Sequence, residues 1–170
     1  VDIVSDGEFG KAISWSQYAL ERLSGFERRA IKPGAHPFAR GADRTRFPEF
    51  YAELDAKDGI ATTREAVCVG PITYTGQAEL QHDIDHLRRA LAANNVAEAF
   101  LPVAAPSSVI PDRRNEYYPN DDACLEAIAG AMRTEYKMIV DAGFLLQLDD
   151  AGAAVTYGRM VRPASFADDR

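Results

Sequence analysis

Cysteine, histidine, tryptophan and long apolar runs are all scarce in this chain of 170 residues. The two cysteines, Cys68 and Cys124, are too few and too far apart in sequence for the disulfide framework of a small secreted domain. Cys68 lies in an apolar run and Cys124 in a helical pattern, where a free thiol packs as a small hydrophobe. No apolar run approaches the ~18 residues of a membrane span, and no basic stretch followed by an apolar one opens the chain as a secretory leader would. Positive charge is also in deficit: 19 Lys and Arg against 26 Asp and Glu give a formal net charge of −7. That balance argues against nucleic acid or an anionic membrane as partner and leaves small molecules. A reducing cytoplasm is the location these absences lead us to expect.

Several chemical signatures are missing as well. No G-x-G-x-x-G follows an apolar run and no G-x-x-x-x-G-K-[ST] occurs, so the common phosphate cradles are absent. There is no G-x-S-x-G nucleophile elbow. His82 and His86 stand one helical turn apart, but Asp83, Ile84 and Asp85 between them do not make H-E-x-x-H. Both histidines fall away from the neighbouring apolar stripe, so a solvated helix face is their expected place. His36 stands alone in a loop rich in Arg and Pro.

What the sequence does contain is an alternation of two periods. Four short apolar runs, Val1–Ser5, Ala66–Gly70, Ala99–Ala104 and Phe144–Leu148, are each followed by small or acidic residues. Their continuous apolarity predicts strands covered on both faces, as in parallel sheets. Between them the spacing predicts helices over 12–24 (Ile13, Leu20, Leu23 inward), 77–93 (Leu80, Ile84, Leu87, Leu91) and 121–142 (Leu125, Ile128, Met132, Tyr136, Ile139). Asn120 or Asp121 is the expected N-cap of the last, and Gly143 its C′ residue. From Gly25 to about Phe47 the chain reads as an irregular loop, followed by a short helix near Pro48–Leu54. This is an α/β pattern, expected to form one domain over 1–170. A doubly wound sheet and a (β/α)8 barrel both accommodate it. Four parallel strands are half a barrel, so in the barrel the chain would be incomplete at both ends, and the start on Val1 fits a fragment.

In either architecture ligands gather at the carboxyl ends of the strands. That directs attention to Glu8, within Asp6-Gly7-Glu8-Phe9-Gly10, to the turns at Gly70-Pro71 and Pro106-Ser107-Ser108, and to Asp149-Asp150. Acids at two strand ends on one rim suit a substrate amine or an acid/base pair; they also suit helix capping. Two segments mix guanidinium groups with turn residues or aromatic rings, a composition that suits either an anionic ligand or a solvated loop, and for the first the solvated loop is the expected reading. One runs from Arg28 to Arg46, with Arg29, Lys32, Arg40 and Arg44 opposed by Asp43 alone; the other is Asp112–Tyr118, with Arg113, Arg114, Tyr117 and Tyr118.

Taken in order, these residues resemble the catalytic barrel of the cobalamin-independent methionine synthases, within the methionine synthase/uroporphyrinogen decarboxylase-like superfamily. Val4-Ser5-Asp6-Gly7-Glu8 is similar to that family's small-residue-plus-glutamate strand end. Tyr18 with Leu23-Ser24-Gly25-Phe26, Ala105-Pro106-Ser107-Ser108, and Ala142-Gly143 with Leu146-Gln147-Leu148-Asp149-Asp150 continue the likeness over most of residues 1–150.

The resemblance implies a zinc-dependent transfer of a methyl group from polyglutamylated 5-methyltetrahydrofolate to homocysteine, giving methionine. Glu8 and Asp149 would hold the homocysteine ammonium group, with Asp150 beside them, and Ser107, Arg113, Arg114 and Tyr117 would line the donor side. The family's zinc ligands lie beyond the Asp149 motif, so no metal ligand is expected in this chain, and Cys68 and Cys124 match none of them. Two departures point to a short, single-domain branch. Residues around Ile13 lack the family's acidic residue, and the aromatic position after Pro106 falls near Asp112, with Tyr117 or Tyr118 as substitutes. The same resemblance admits a zinc alkyltransferase acting on another thiol such as coenzyme M, a tetrapyrrole decarboxylase, or a non-catalytic relic. The 170-residue piece alone is not expected to turn over.

Overall fold

The computed structural model describes residues 2–8, 11, 15–30, 42–58, 64–109 and 113–151. In chain order the elements are β1 (Ile3–Ser5), α1 (Trp15–Glu21), β2 (Phe26–Ala30), α2 (Ala42–Arg46), α3 (Pro48–Asp58), β3 (Arg64–Cys68), α4 (Gln77–Ala92), β4 (Glu98–Ala104), α5 (Pro106–Val109), β5 (Arg113–Asn115), α6 (Asp121–Asp141) and β6 (Leu145–Asp149). Among the described residues no helix is long and apolar enough to cross a membrane. Three of the four apolar runs form one parallel sheet in the order β1-β4-β6, with Ser5 opposite Phe100, Phe100 opposite Leu145, and Ala104 opposite Asp149.

One side of that sheet is covered by α4 and α6. Leu80, Ile84 and Leu87 of α4 and Ile139 of α6 close over Ala99, Leu101 and Val103 of β4, with Phe144 at the margin. Each leucine, isoleucine or valine so removed from water contributes about 1.5–3 kcal/mol. The α4 stripe is the one its spacing predicts, with Leu91 half-buried, and both α4 histidines are exposed. α6 begins where Asn120 accepts a hydrogen bond from Ala123 N at 2.8 Å, and Asp121 and Asp122 suit the helix dipole there. It ends at Gly143, whose φ of 88° makes it the left-handed C′ residue. α1 buries Tyr18 and Ala19, with Leu23 buried just beyond it and Leu20 half-buried, while Ile13 lies outside the described residues.

The fourth apolar run departs from expectation. β3 is not in the parallel sheet; it is the centre of a second three-stranded sheet, antiparallel to β2 and parallel to β5. Gly25 explains the reversal. Its carbonyl accepts from both Val69 N (2.8 Å) and Gly70 N (3.2 Å), holding β2 and β3 face to face just beyond Cys68. Continuous apolarity reported burial correctly, since Ala66, Val67 and Cys68 are all buried, but it does not say which sheet buries them. The Gly70-Pro71 turn therefore does not belong to the parallel sheet's rim. The expected loop 25–47 likewise contains β2 and α2, because backbone pairing with β3 sustains a strand whose sequence, Phe-Glu-Arg-Arg-Ala, is not apolar. Residues 31–41, including His36, lie outside the described residues.

Between α1, α4 and α6 the core is polar. Glu135 is 1% exposed on the inward line Cys124–Ile128–Met132–Glu135–Ile139 of α6. Tyr18 donates its hydroxyl to Glu135 Oε1. Arg22 reaches Asp83 at 2.8 Å and lies 3.5 Å from Glu135, with its guanidinium stacked 4.1 Å from the Tyr18 ring centroid. Burial, and then the Glu135 carboxylate, push the Tyr18 hydroxyl well above the ordinary tyrosine range, so it is a fixed donor. Burial also raises Glu135, against the opposing effects of Tyr18, Arg22 and Lys11.

Two outcomes follow from this packing. Gly25 has φ +85°, and a Cβ there would lie 2.7 Å from both Gly70 O and Pro71 O. Gly25→Ala is expected to cost at least about 1–2 kcal/mol, read as a lower urea midpoint. Because folding raises the Glu135 pKa, the stability tied to that proton is full below the unfolded carboxylate value of about 4.3 and is lost as pH rises through the folded value. Urea midpoints of Glu135→Gln should thus gain on wild type as pH rises from about 4; parallel curves would refute the linkage.

Candidate functional site

Parallel strands deliver their carboxyl ends to one edge, and in β1-β4-β6 that edge carries the residues following Ser5, Ala104 and Asp149. After β1 the chain turns sharply. Gly7 N donates to Ser5 Oγ at 3.2 Å and Glu8 N to Asp6 Oδ1 at 3.1 Å. Gly7 has φ 69° and Glu8 φ 60°. Glycine adopts that left-handed backbone freely, whereas for glutamate it costs about 1–2 kcal/mol. Strained non-glycine residues concentrate at ligand sites. The Glu8 side chain is exposed.

The ends of β4 and β6 are laced together on the same edge. Ala105 N donates to Asp149 O at 3.0 Å, and Ser108 Oγ lies 3.2 Å from that carbonyl. Ser107 Oγ donates to Asp150 Oδ1 at 2.5 Å, with Ser108 Oγ 3.4 Å from the same oxygen. The Asp149 carboxylate is half-buried and accepts from Gln147 Nε2 at 2.8 Å. The rim thus gathers Asp6, Glu8, Asp149 and Asp150 with two hydroxyls, a negative and hydrogen-bonding edge suited to a cationic group.

The other expected site residues sit elsewhere. Arg113 lends its backbone to β5 opposite Ala66, and its side chain lies outside the described residues. Arg114 is on the second sheet, 3.2 Å from Glu65 and hydrogen-bonded to Glu116. Arg29 reaches Glu116 at 2.6 Å, so Glu116 is held below the ordinary carboxylate range by Arg114 and Arg29. Arg28 is exposed in β2, Arg44 pairs with Asp55 at 2.7 Å, and Lys32 and Arg40 lie outside the described residues. Tyr117 is exposed with its ring edge-on to Tyr118, whose hydroxyl accepts from Ile72 N at 3.0 Å. The structure brings Glu8, Ser107, Asp149 and Asp150 to one edge and places Arg114 and Tyr117 in or just after β5.

Cys68 and Cys124 are both buried, as their sequence context suggests. Burial, then Cys68, pushes the Cys124 thiol up to about 12. Among the described residues no three His, Cys, Asp or Glu side chains are grouped to hold a metal. Two surface hollows, of 450 and 500 Å³, lie mainly around the end of α4 and the starts of β4 and β6, the first also lined by Val4 and Ser5 of β1. Two residues at or behind the rim escaped the sequence reading. Glu135 had a signal, since it falls four residues before Ile139 and three after Met132 on a helical stripe. Lys11 had none, because the partner that gives it meaning, the Pro102 carbonyl, is 91 residues away.

No family model matches the sequence, and no characterised protein matches it by sequence. A solved structure does share the fold. The B12-independent methionine synthase from Shewanella sp. W3-18-1, determined in complex with selenomethionine, aligns with a TM-score of 0.61 at 18% identity. The alignment covers 92% of this chain and 38% of that one, so the chain spans less than half the length of the synthase. At this identity the likeness establishes a shared mixed α/β fold containing the parallel sheet.

Proposed function

We propose that the chain is part of a (β/α)8 barrel and that its rim binds the ammonium group of a thiol amino acid in a methyl transfer of the methionine-synthase type. The observation that carries this reading is the convergence of Glu8, Ser107, Asp149 and Asp150 at the carboxyl ends of three adjacent parallel strands. The fold shared with a methionine synthase supports it, as does the order of motifs along the chain. Glu8 and Asp149 take the ammonium group, and Ser107 and Asp150 stand beside them. An acidic donor tail, as on a folate polyglutamate, would compete with Glu65 and Glu116 for Arg114.

In the transfer itself a sulfur–methyl bond forms and the donor's nitrogen–methyl bond breaks. The thiol gives up its proton and the donor nitrogen takes one. Sulfur reacts as thiolate, a form that zinc stabilises when bound. The described residues do not fit zinc: they group no three ligands, and both thiols are buried. No step here is therefore routed through the metal.

L-Homocysteine titrated into the isotope-labelled chain should shift the amide resonances of Gly7, Glu8 and Asp149. Asp149→Asn and Glu8→Gln should each weaken binding by about tenfold or more, the worth of a charged hydrogen bond. Unchanged affinity in both variants would remove the ammonium site from the rim.

A further inference from the structure

Lys11 has no part in the binding scheme above, yet its side chain is only 5% exposed and its backbone and ammonium group both tie into the Glu8 turn. Its amide donates to Glu8 O at 3.1 Å. Its ammonium group lies 3.3 Å from Asp6 Oδ2 and donates to the Pro102 carbonyl in β4. The other oxygen of the same carboxylate, Asp6 Oδ1, accepts from Glu8 N at 3.1 Å. A continuous line therefore runs from β4 through Lys11 and Asp6 to the backbone of Glu8. The rings of Trp15 and Tyr18 flank the ammonium group, with centroids 5.2 and 5.8 Å away. A cation so far from water is retained only where charge and hydrogen bonds replace its hydration. Here the groups doing so belong to the middle strand, to α1, to the turn itself and, at longer range, to Glu135 of α6.

We propose that Lys11 is a positioning residue that clamps the Asp6–Glu8 turn to β4 and keeps Glu8 in its left-handed conformation, so that its carboxylate stands ready for a substrate ammonium group. Glu8 at φ 60° needs such a restraint, because a glutamate left to itself relaxes to negative φ. The role of Glu8 as ammonium ligand comes from the function proposed above; the clamp on the turn does not depend on it. A merely structural lysine would change stability alone. A positioning lysine changes discrimination between ligands with and without the amine.

The test compares L-homocysteine with 4-mercaptobutyrate, its analogue lacking the amino group, binding to the 170-residue chain and to Lys11→Met and Lys11→Arg, alongside amide exchange at Gly7 and Glu8. Lys11→Met should lose about tenfold of the preference for homocysteine and exchange the Glu8 amide about tenfold faster, while Lys11→Arg restores both. If Lys11→Met does not fold, Asp6→Asn serves instead, since it removes the ion pair yet keeps a side-chain carbonyl for Glu8 N; the same two changes are expected. Preference and exchange that stay at wild-type values in a folded variant overturn the proposal. A wild-type chain that binds both ligands equally overturns the ammonium site, and the exchange at Glu8 then decides the clamp by itself.

Discussion

Strand β4 is paired along both edges, to β1 and to β6, and both neighbours run parallel to it. That single arrangement decides where everything else stands. Parallel pairing forces each connection to cross back over the sheet, so α4 lies before β4 and α6 before β6, and their apolar lines meet over Leu101 and Val103. It also brings the residues after Ser5, after Ala104 and at Asp149 to the same edge. Antiparallel pairing of β6 would leave Asp149 at the far end from Ser107. The acidic rim is thus a consequence of strand direction.

Behind the rim the protein accepts an electrostatic cost. Glu135 occupies a place in the α6 stripe that a leucine would fill, and it is surrounded by Tyr18 and Arg22, with Asp83 on the far side of the guanidinium. Removing charges from water is expensive unless neighbours replace the lost hydration, and around Glu135 the Tyr18 and Tyr74 hydroxyls, the Arg22 guanidinium and, at longer range, the Lys11 ammonium group do so. Its geometric effect is to fix α1 against α4 and α6. Trp15 and Tyr18 of α1 in turn flank Lys11, so the polar core and the Glu8 turn share a wall. Buried polar groups are directional where apolar ones are not, which suits a place where a turn must be held in one conformation.

The second sheet obeys different physics. β2, β3 and β5 carry Glu27, Arg29, Glu65 and Arg114, which ion pairs link to one another and to Glu116 just beyond β5, on side chains that are exposed except for half-buried Glu65. Exposed pairs contribute little and weaken with salt. What holds this sheet is the inner side, where Cys68, Ile72 and Tyr74 pack with Leu23, Ile128 and Met132. Tyr136 joins the two cores: it flanks both and donates its hydroxyl to Ala104 O at 2.7 Å, at the end of the middle strand.

Local periodicity and end signals were enough to find α4 and α6, the Asn120 cap, the Gly143 terminator and the apolar runs that became β1, β4 and β6. Each depends on residues within one or two helical turns or along a single strand, so the information lies next to itself in the chain. Glu8, Ser107, Asp149 and Asp150 were legible for the same reason, as polar residues directly after apolar runs. Strand partnership was not legible: Ala66–Gly70 reads like the other three runs, and only the contact of Gly25 with Gly70 and Pro71 turns it into the second sheet. Nor was Lys11, whose partners Asp6 and Pro102 meet only once β4 lies beside β1. The sequence by itself determined which segments are helical or extended and which ends are acidic. The tertiary structure decided which ends meet, because pairing depends on contacts between residues tens of positions apart that no local pattern records.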